Sequence, residues 1–113
     1  MISGVLRKKA IEFANAFRET DEFKHFSQCN KKLRENTEAQ RKLQRFAELE
    51  RQLVEQQQTG QMLDQNLIQE LKFLQRDINE INDVKALLES QMVMNNLLKE
   101  VNELILTTIE NQD

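Results

Sequence analysis

The stretch "QQQTGQMLDQNLIQELKFLQRDI", residues 56–78, contains the sequence signals for the end of one helix, a turn and most of a second helix. Gly60 adopts the left-handed backbone conformation at little cost, so it is a natural residue to end a helix. After it, apolar residues recur at intervals of four and three residues, which is the spacing of one helix face over about residues 64–80. They are Leu67, Leu71, Leu74, Ile78 and Ile81. The stretch therefore predicts a helical hairpin.

The same apolar spacing on both sides of this hairpin predicts four further helices, and Ser, Thr, Asn and Asp residues stand where caps are needed. The helices are expected at about residues 3–19, 21–35, 37–59 and 83–110. The proposed caps are Ser3, Thr20, Thr37 in a capping box with Gln40, and Asn82 or Asp83.

Composition favours an all-α protein. The chain has 113 residues, no proline and two glycines, too few turn residues for a fold of many short elements. We predict one domain over residues 1–113, an antiparallel bundle of about five helices. No leader and no apolar run long enough for a membrane span are found, so we expect a cytoplasmic protein.

Charge is unevenly distributed along the chain. Residues 1–60 carry 12 Lys and Arg against 9 Asp and Glu, whereas residues 61–113 carry 4 against 10. Opposite signs suit antiparallel packing of one half on the other, or of one chain on its partner.

The last predicted helix has more apolar surface than one stripe. Leaving several large aliphatic side chains exposed would forgo roughly 1.5–3 kcal/mol each, so a partner helix is expected. We predict an oligomer, an intertwined dimer in the simplest case. The predicted partner or dimer interface consists of Leu87, Leu88, Met94, Leu97, Leu98, Val101, Leu104 and Ile105.

The single histidine, His25, and the single cysteine, Cys29, are one helical turn apart. Phe23, Phe26 and Leu33 mark the buried direction of their helix, so Cys29 should lie on its flank and His25 towards solvent. Zinc normally takes four ligands, and a cysteine nucleophile needs a third, orienting group. A dimer could bring two such pairs together, but packing is the favoured interpretation, and we predict no catalytic residue and no metal site.

Two other kinds of site receive weaker support. Glu22 and His25 match the Glu-x-x-His spacing of di-iron bundles, but both lie off the apolar stripe, and Glu50 is the best further inward carboxylate. Cations that could touch phosphates alternate with acids, and the phenylalanines are assigned to the core, so direct nucleic-acid binding is not expected. These cations are Lys31, Lys32, Arg34, Arg41, Lys42 and Arg45.

Five blocks in their order resemble the YlbF/YmcA family of small helical proteins from Gram-positive bacteria. They are "FANAFRETDEFKHF", "TEAQRKLQRF", "QQQTGQ", "IQELKFLQRDI" and "LLESQMVMNNLLKEVNELI", within residues 13–105. The resemblance implies intertwined helical dimers that are not enzymes. It also implies a complex with a sister family member and a third protein, which assists the membrane-anchored endoribonuclease Y in mRNA processing and so influences competence, sporulation and biofilm formation.

Some members of that family carry cysteines in a tail, and their complex is reported to hold iron–sulfur clusters. Because Cys29 is the only cysteine here, we expect no cluster and no other cofactor. The alternative function is a structural helical scaffold or oligomerisation module with an unrelated partner. In either case we expect free carboxylates on the outer faces of the last two helices to select partners. They are Glu70, Asp77, Glu89, Glu100 and Glu103.

Overall fold

A computed structural model describes residues 1–111, and it shows five α-helices and no strand in that range. The prediction of an all-α fold with about five helices is confirmed. The intertwined dimer stays a prediction. The helices are α1 (Gly4–Arg18), α2 (Asp21–Glu35), α3 (Thr37–Gln58), α4 (Gln65–Asn79) and α5 (Asn82–Glu110).

The chain groups into two compact units, and the divisions between them fall within α2 and within α5. One, here called the hairpin unit, is Asn30–Leu87. The other, here called the terminal unit, combines residues 1–29 with the chain from Leu88 onward. A single domain over residues 1–113 remains a prediction.

The turn that ends α3 has the geometry expected from its glycine. Gly60 has a φ of 74°, in the left-handed region. Its N–H donates to the carbonyl of Gln57 at 3.3 Å, and the N–H of Gln61 donates to the carbonyl of Gln56 at 3.0 Å. These two bonds satisfy carbonyls that the helix end would otherwise leave unpaired. The predicted end of the helix at Gly60 is confirmed.

Apolar side chains form the core of the hairpin unit, where α3 and α4 pack together. Leu49 on α3 and Ala39 are fully buried, at 0% exposure. The core cluster consists of Leu33, Ala39, Ile78 and Val84, with Leu43, Phe46, Leu74, Ile81 and Leu87 packed against it.

Two ion pairs join α3 to α4. The Lys42 ammonium lies 2.8 Å from an Asp77 carboxylate oxygen. The Arg45 guanidinium donates to both carboxylate oxygens of Glu70, at 3.0 and 3.1 Å. The hydrogen bond to Asp77 raises the pKa of Lys42 above its usual value. The expectation that Glu70 and Asp77 are free was therefore wrong, because both face cations of the preceding helix.

Asn36, rather than Thr37, caps α3. Its side-chain oxygen accepts the N–H of Ala39 at 3.0 Å, while its amide nitrogen donates to Asp83 at 3.0 Å. The predicted capping box was wrong, since Gln40 instead donates to the carbonyl of Leu33 at 2.9 Å. The predicted cap of the last helix at Asn82 or Asp83 was also wrong, because α5 begins at Asn82 and Asp83 stands in its first turn. There the Asp83 carboxylate accepts the hydrogen bond from Asn36.

In the terminal unit the two predicted N-terminal caps are confirmed. The hydroxyl of Ser3 accepts the N–H of Leu6 at 3.2 Å, and that of Thr20 accepts the N–H of Phe23 at 3.2 Å. Four phenylalanine rings form a series with centroids 6.0, 6.2 and 6.4 Å apart, within the range of aromatic contact. They are Phe13, Phe17, Phe23 and Phe26.

Candidate interaction surface

The part of α5 in the terminal unit exposes a large apolar surface. Of the predicted interface residues there, Leu104 is 67%, Leu88 52% and Ile105 47% exposed. Met94, Leu97, Leu98 and Val101 are half-buried. The eighth predicted residue, Leu87, packs against the core of the hairpin unit. Their role in an interface stays a prediction.

The structure adds apolar residues to this surface that sequence reasoning did not assign to the interface. They are Met92, Val93, Leu106 and Ile109, each more than half exposed. Leu106 and Ile109 follow from the apolar content of the helix. Met92 and Val93 lie outside the helical spacing shared by Leu87, Met94, Leu98, Val101 and Ile105, and they were not assigned to the interface.

A shallow groove of about 460 Å³ runs along this part of α5, beside the first turn of α2. Val93 and Leu97 supply its apolar lining, and Asn96 its neutral polar part. Three carboxylates and one ammonium complete it, so its net charge is negative. These charged residues are Glu22, Glu100, Glu103 and Lys99.

None of the α1 residues, all of which the structure describes, is buried. Val5 is 74%, Leu6 59% and Ile11 55% exposed. A helix of 15 residues is marginal in water by itself, so its stability normally comes from packing an apolar face. Packing of its exposed apolar side chains against another helix would therefore stabilise α1.

His25 and Cys29 lie close together, with the sulfur 3.7 Å from Nε2 of the ring. Cys29 is 6% exposed, deeper than the flank position expected for it, and His25 is exposed as predicted. No cluster of three or more His, Cys, Asp or Glu side chains suited to a metal occurs among residues 1–111. A metal-free protein stays a prediction.

The other two weakly supported sites are not assembled. Glu50 is exposed rather than inward, and Glu22 lines the α5 groove, so the carboxylates for a di-iron centre are not together. Two of the candidate phosphate-binding cations, Lys42 and Arg45, are engaged by Asp77 and Glu70. Absence of direct nucleic-acid binding remains a prediction.

Not every phenylalanine belongs to the core, and the exposed ones are Phe13, at 39%, and Phe73. Phe73 on α4 is 69% exposed, so the assignment of the phenylalanines to the core was wrong at this position. Lys72 and Arg76 stand beside it on the same surface. With Glu70 and Asp77 paired to α3, the outer face of α4 is not the acidic surface expected.

Over the part of the chain that the structure describes, no helix has the length and apolarity to cross a membrane.

Several bacterial proteins are similar to this chain over most of their length. A UPF0342 protein of Listeria welshimeri is 25% identical over 101 residues, covering 89% of this chain and 86% of its own. The UPF0342 protein lmo2223 of Listeria monocytogenes gives the same identity and coverage. A UPF0342 protein of Caldicellulosiruptor saccharolyticus is 24% identical over 104 residues, covering 92% of this chain and 87% of its own.

The fold is similar to that in a solved structure. A chain in the crystal structure of Bacillus subtilis RicA in complex with RicF superposes with a TM-score of 0.83, at 20% identity and 96% coverage of both chains. That likeness supports the helical fold. Residues 6–110 match the family described as "Control of competence regulator ComK, YlbF/YmcA", nearly the whole chain. The resemblance seen in the sequence is confirmed, and the chain belongs to the YlbF/YmcA family.

Proposed function

We propose that this protein is a non-enzymatic regulatory adaptor that acts by assembling with other chains. The observation that carries the proposal is the uncovered apolar surface of the terminal unit, on α1 and on α5 from Leu88 onward. Each large aliphatic side chain gains roughly 1.5–3 kcal/mol on burial, so covering several of them favours association. The partner is a second copy or a sister family member.

Two findings support this proposal. The family is described by its control of a competence regulator, which is a regulatory role. The structurally similar chain comes from a complex of RicA with RicF, so a protein of this fold assembles with another protein. Through such an assembly, the adaptor assists endoribonuclease Y in mRNA processing in the cytoplasm, and so influences competence, sporulation and biofilm formation.

Mapping transcript 5′ ends genome-wide tests the RNA-processing role. A deletion strain should leave a subset of polycistronic transcripts unprocessed, and the wild-type gene should restore their cleavage. A Leu104→Asp gene should not restore it, since this side chain belongs to the exposed apolar surface. Asn95→Asp makes the same change of charge at an exposed polar position of α5 and should restore it.

Unchanged cleavage in the deletion strain, with the endoribonuclease present and active, would contradict the RNA-processing role. It would leave the alternative of a structural helical scaffold with an unrelated partner. Equal restoration by the Leu104→Asp and wild-type genes would show instead that the exposed α5 surface is not the functional one.

A further inference from the structure

The two elements of the terminal unit that expose large aliphatic side chains, α1 and α5 from Leu88 onward, carry opposite net charges of equal size. α1 contains four cations and one carboxylate, for a net charge of +3. The part of α5 from Leu88 to Glu110 contains four glutamates and one lysine, for a net charge of −3. Both elements also expose aliphatic side chains. Packing one element on the other would bury these side chains and bring opposite charges together.

Most charged side chains of these two elements form no ion pair among the described residues. In α1, Lys9 pairs with Glu12 at 3.3 Å, whereas Arg7, Lys8 and Arg18 pair with no residue in the range 1–111. On α5, the glutamates from Leu88 onward likewise have no ion-pair partner among the described residues. These are Glu89, Glu100, Glu103 and Glu110.

Spacing along the two helices also matches. Arg7 and Arg18 are 11 residues apart, about three turns, so they share one side of α1. Glu89 and Glu100 are also 11 residues apart and share one side of α5. At 1.5 Å per residue both separations are about 16 Å, so two helices lying side by side can form both pairs together.

From these observations we infer that α1 of one copy lies along the terminal-unit part of α5 in a second copy, with Arg7 and Arg18 paired to Glu89 and Glu100. α1 spans about 22 Å and this part of α5 about 34 Å, so α5 is long enough to cover it. Two symmetric contacts of this kind close a dimer. The inference rests on the proposed adaptor function and names the partner of its apolar surface.

Charge exchange between two variants tests this pairing. Arg7→Glu/Arg18→Glu places like charges at both contacts of its own dimer, and so does Glu89→Arg/Glu100→Arg. Each variant alone should raise the dimer dissociation constant about tenfold or more, measured by sedimentation equilibrium. An equimolar mixture should restore a dimer, since both contacts in the mixed pair again join opposite charges.

Two controls separate this pairing from other effects. Lys72→Glu/Arg76→Glu makes the same change in net charge on α4 and should dimerise like the wild type. A single chain with all four exchanges should also dimerise. If either double variant fails to fold alone, co-expression with differently tagged chains and two-step purification should recover the mixed pair.

Three outcomes would overturn the inference. The first is a monomeric wild type, and the second is dimerisation that neither double variant weakens. The third is a dimer formed by the four-exchange chain but not by the mixture of the two double variants, because that result would place the contact within one chain. Failure of the adaptor proposal is distinct, because it is read from transcript ends, whereas this test reads only the pairing of purified chains.

Discussion

The hairpin unit and the terminal unit are built from the same kind of amphipathic helix, yet they differ in what covers the apolar face. In the hairpin unit, Leu49 is fully buried in α3, which packs on α4. In the terminal unit, α1 buries no residue, although the structure describes it throughout, and Leu104 of α5 is 67% exposed. Periodicity thus predicts that a helix has an apolar face, but not which molecule covers it.

Leu49→Ala should have the largest effect on the stability of the single chain. Truncating a fully buried leucine leaves a cavity and should lower the free energy of unfolding by about 2–5 kcal/mol. Leu106→Ala, at a position 58% exposed, is the matched truncation in the terminal unit and should cost less than about 0.5 kcal/mol in the monomer. Urea unfolding at low protein concentration measures both. Equal losses of unfolding free energy would contradict the difference in burial between Leu49 in the hairpin unit and Leu106 in the terminal unit.

Leu104→Asp should have the largest effect on assembly. An unpaired carboxylate in an apolar interface costs about 3 kcal/mol or more, so the dissociation constant should rise roughly 100-fold. Sedimentation equilibrium measures it, and Asn95→Asp serves as the control. The thermal midpoint of the wild type should rise with concentration, as linked folding and association require. A Leu104→Asp chain that assembles like the wild type would refute the apolar interface.

Asn36→Ala should have a smaller effect, confined to the hairpin unit. It removes the cap on Ala39 and the hydrogen bond to Asp83, and should cost about 1–2 kcal/mol. Thr37→Ala is the control and should cost less than about 0.5 kcal/mol. Urea unfolding measures the free energy of unfolding of both variants. A larger loss of that free energy for the threonine variant would support the capping box predicted from the sequence.

Cys29→Ser and His25→Ala should have smaller effects than Asn36→Ala, about 1 kcal/mol or less each. A serine hydroxyl can keep a polar contact with His25, whose ring is exposed. Metal analysis of protein purified with and without oxygen should find no stoichiometric zinc or iron. One tightly held metal per chain or per dimer, lost in either variant, would contradict the packing role.

The five helices and the hairpin could be predicted because their signals are local. Gly60, Ser3 and Thr20 act on backbone groups within a few residues, and the apolar spacing that predicts each helix is read over a few turns. The choice of Asn36 over Thr37 as the cap is not local, since Asn36 is also held by Asp83, 47 residues further along the chain.

The ion pairs of α4 also depend on residues far away in the sequence, so they could not be predicted from local signals. Glu70 and Asp77 look free along their own helix, but the register of α3 places Arg45 and Lys42 against them. Phe73 is different, because it already lies outside the apolar spacing of Leu67, Leu71, Leu74 and Ile78, and its exposure agrees with that spacing. The exposed apolar surface on α5 could be anticipated from the surplus of apolar residues in this helix, whereas the exposure of Met92 and Val93 is read from the packed structure.

Amide hydrogen exchange at two protein concentrations about 100-fold apart tests most directly whether another chain covers the terminal unit. Because α1 buries no residue in the single chain and exposes Val5, Leu6 and Ile11, its amides should lose protection on dilution more strongly than those around Leu49 in α3. Protection of α1 that is high and identical at both concentrations, in a chain that sediments as a monomer, would contradict the account.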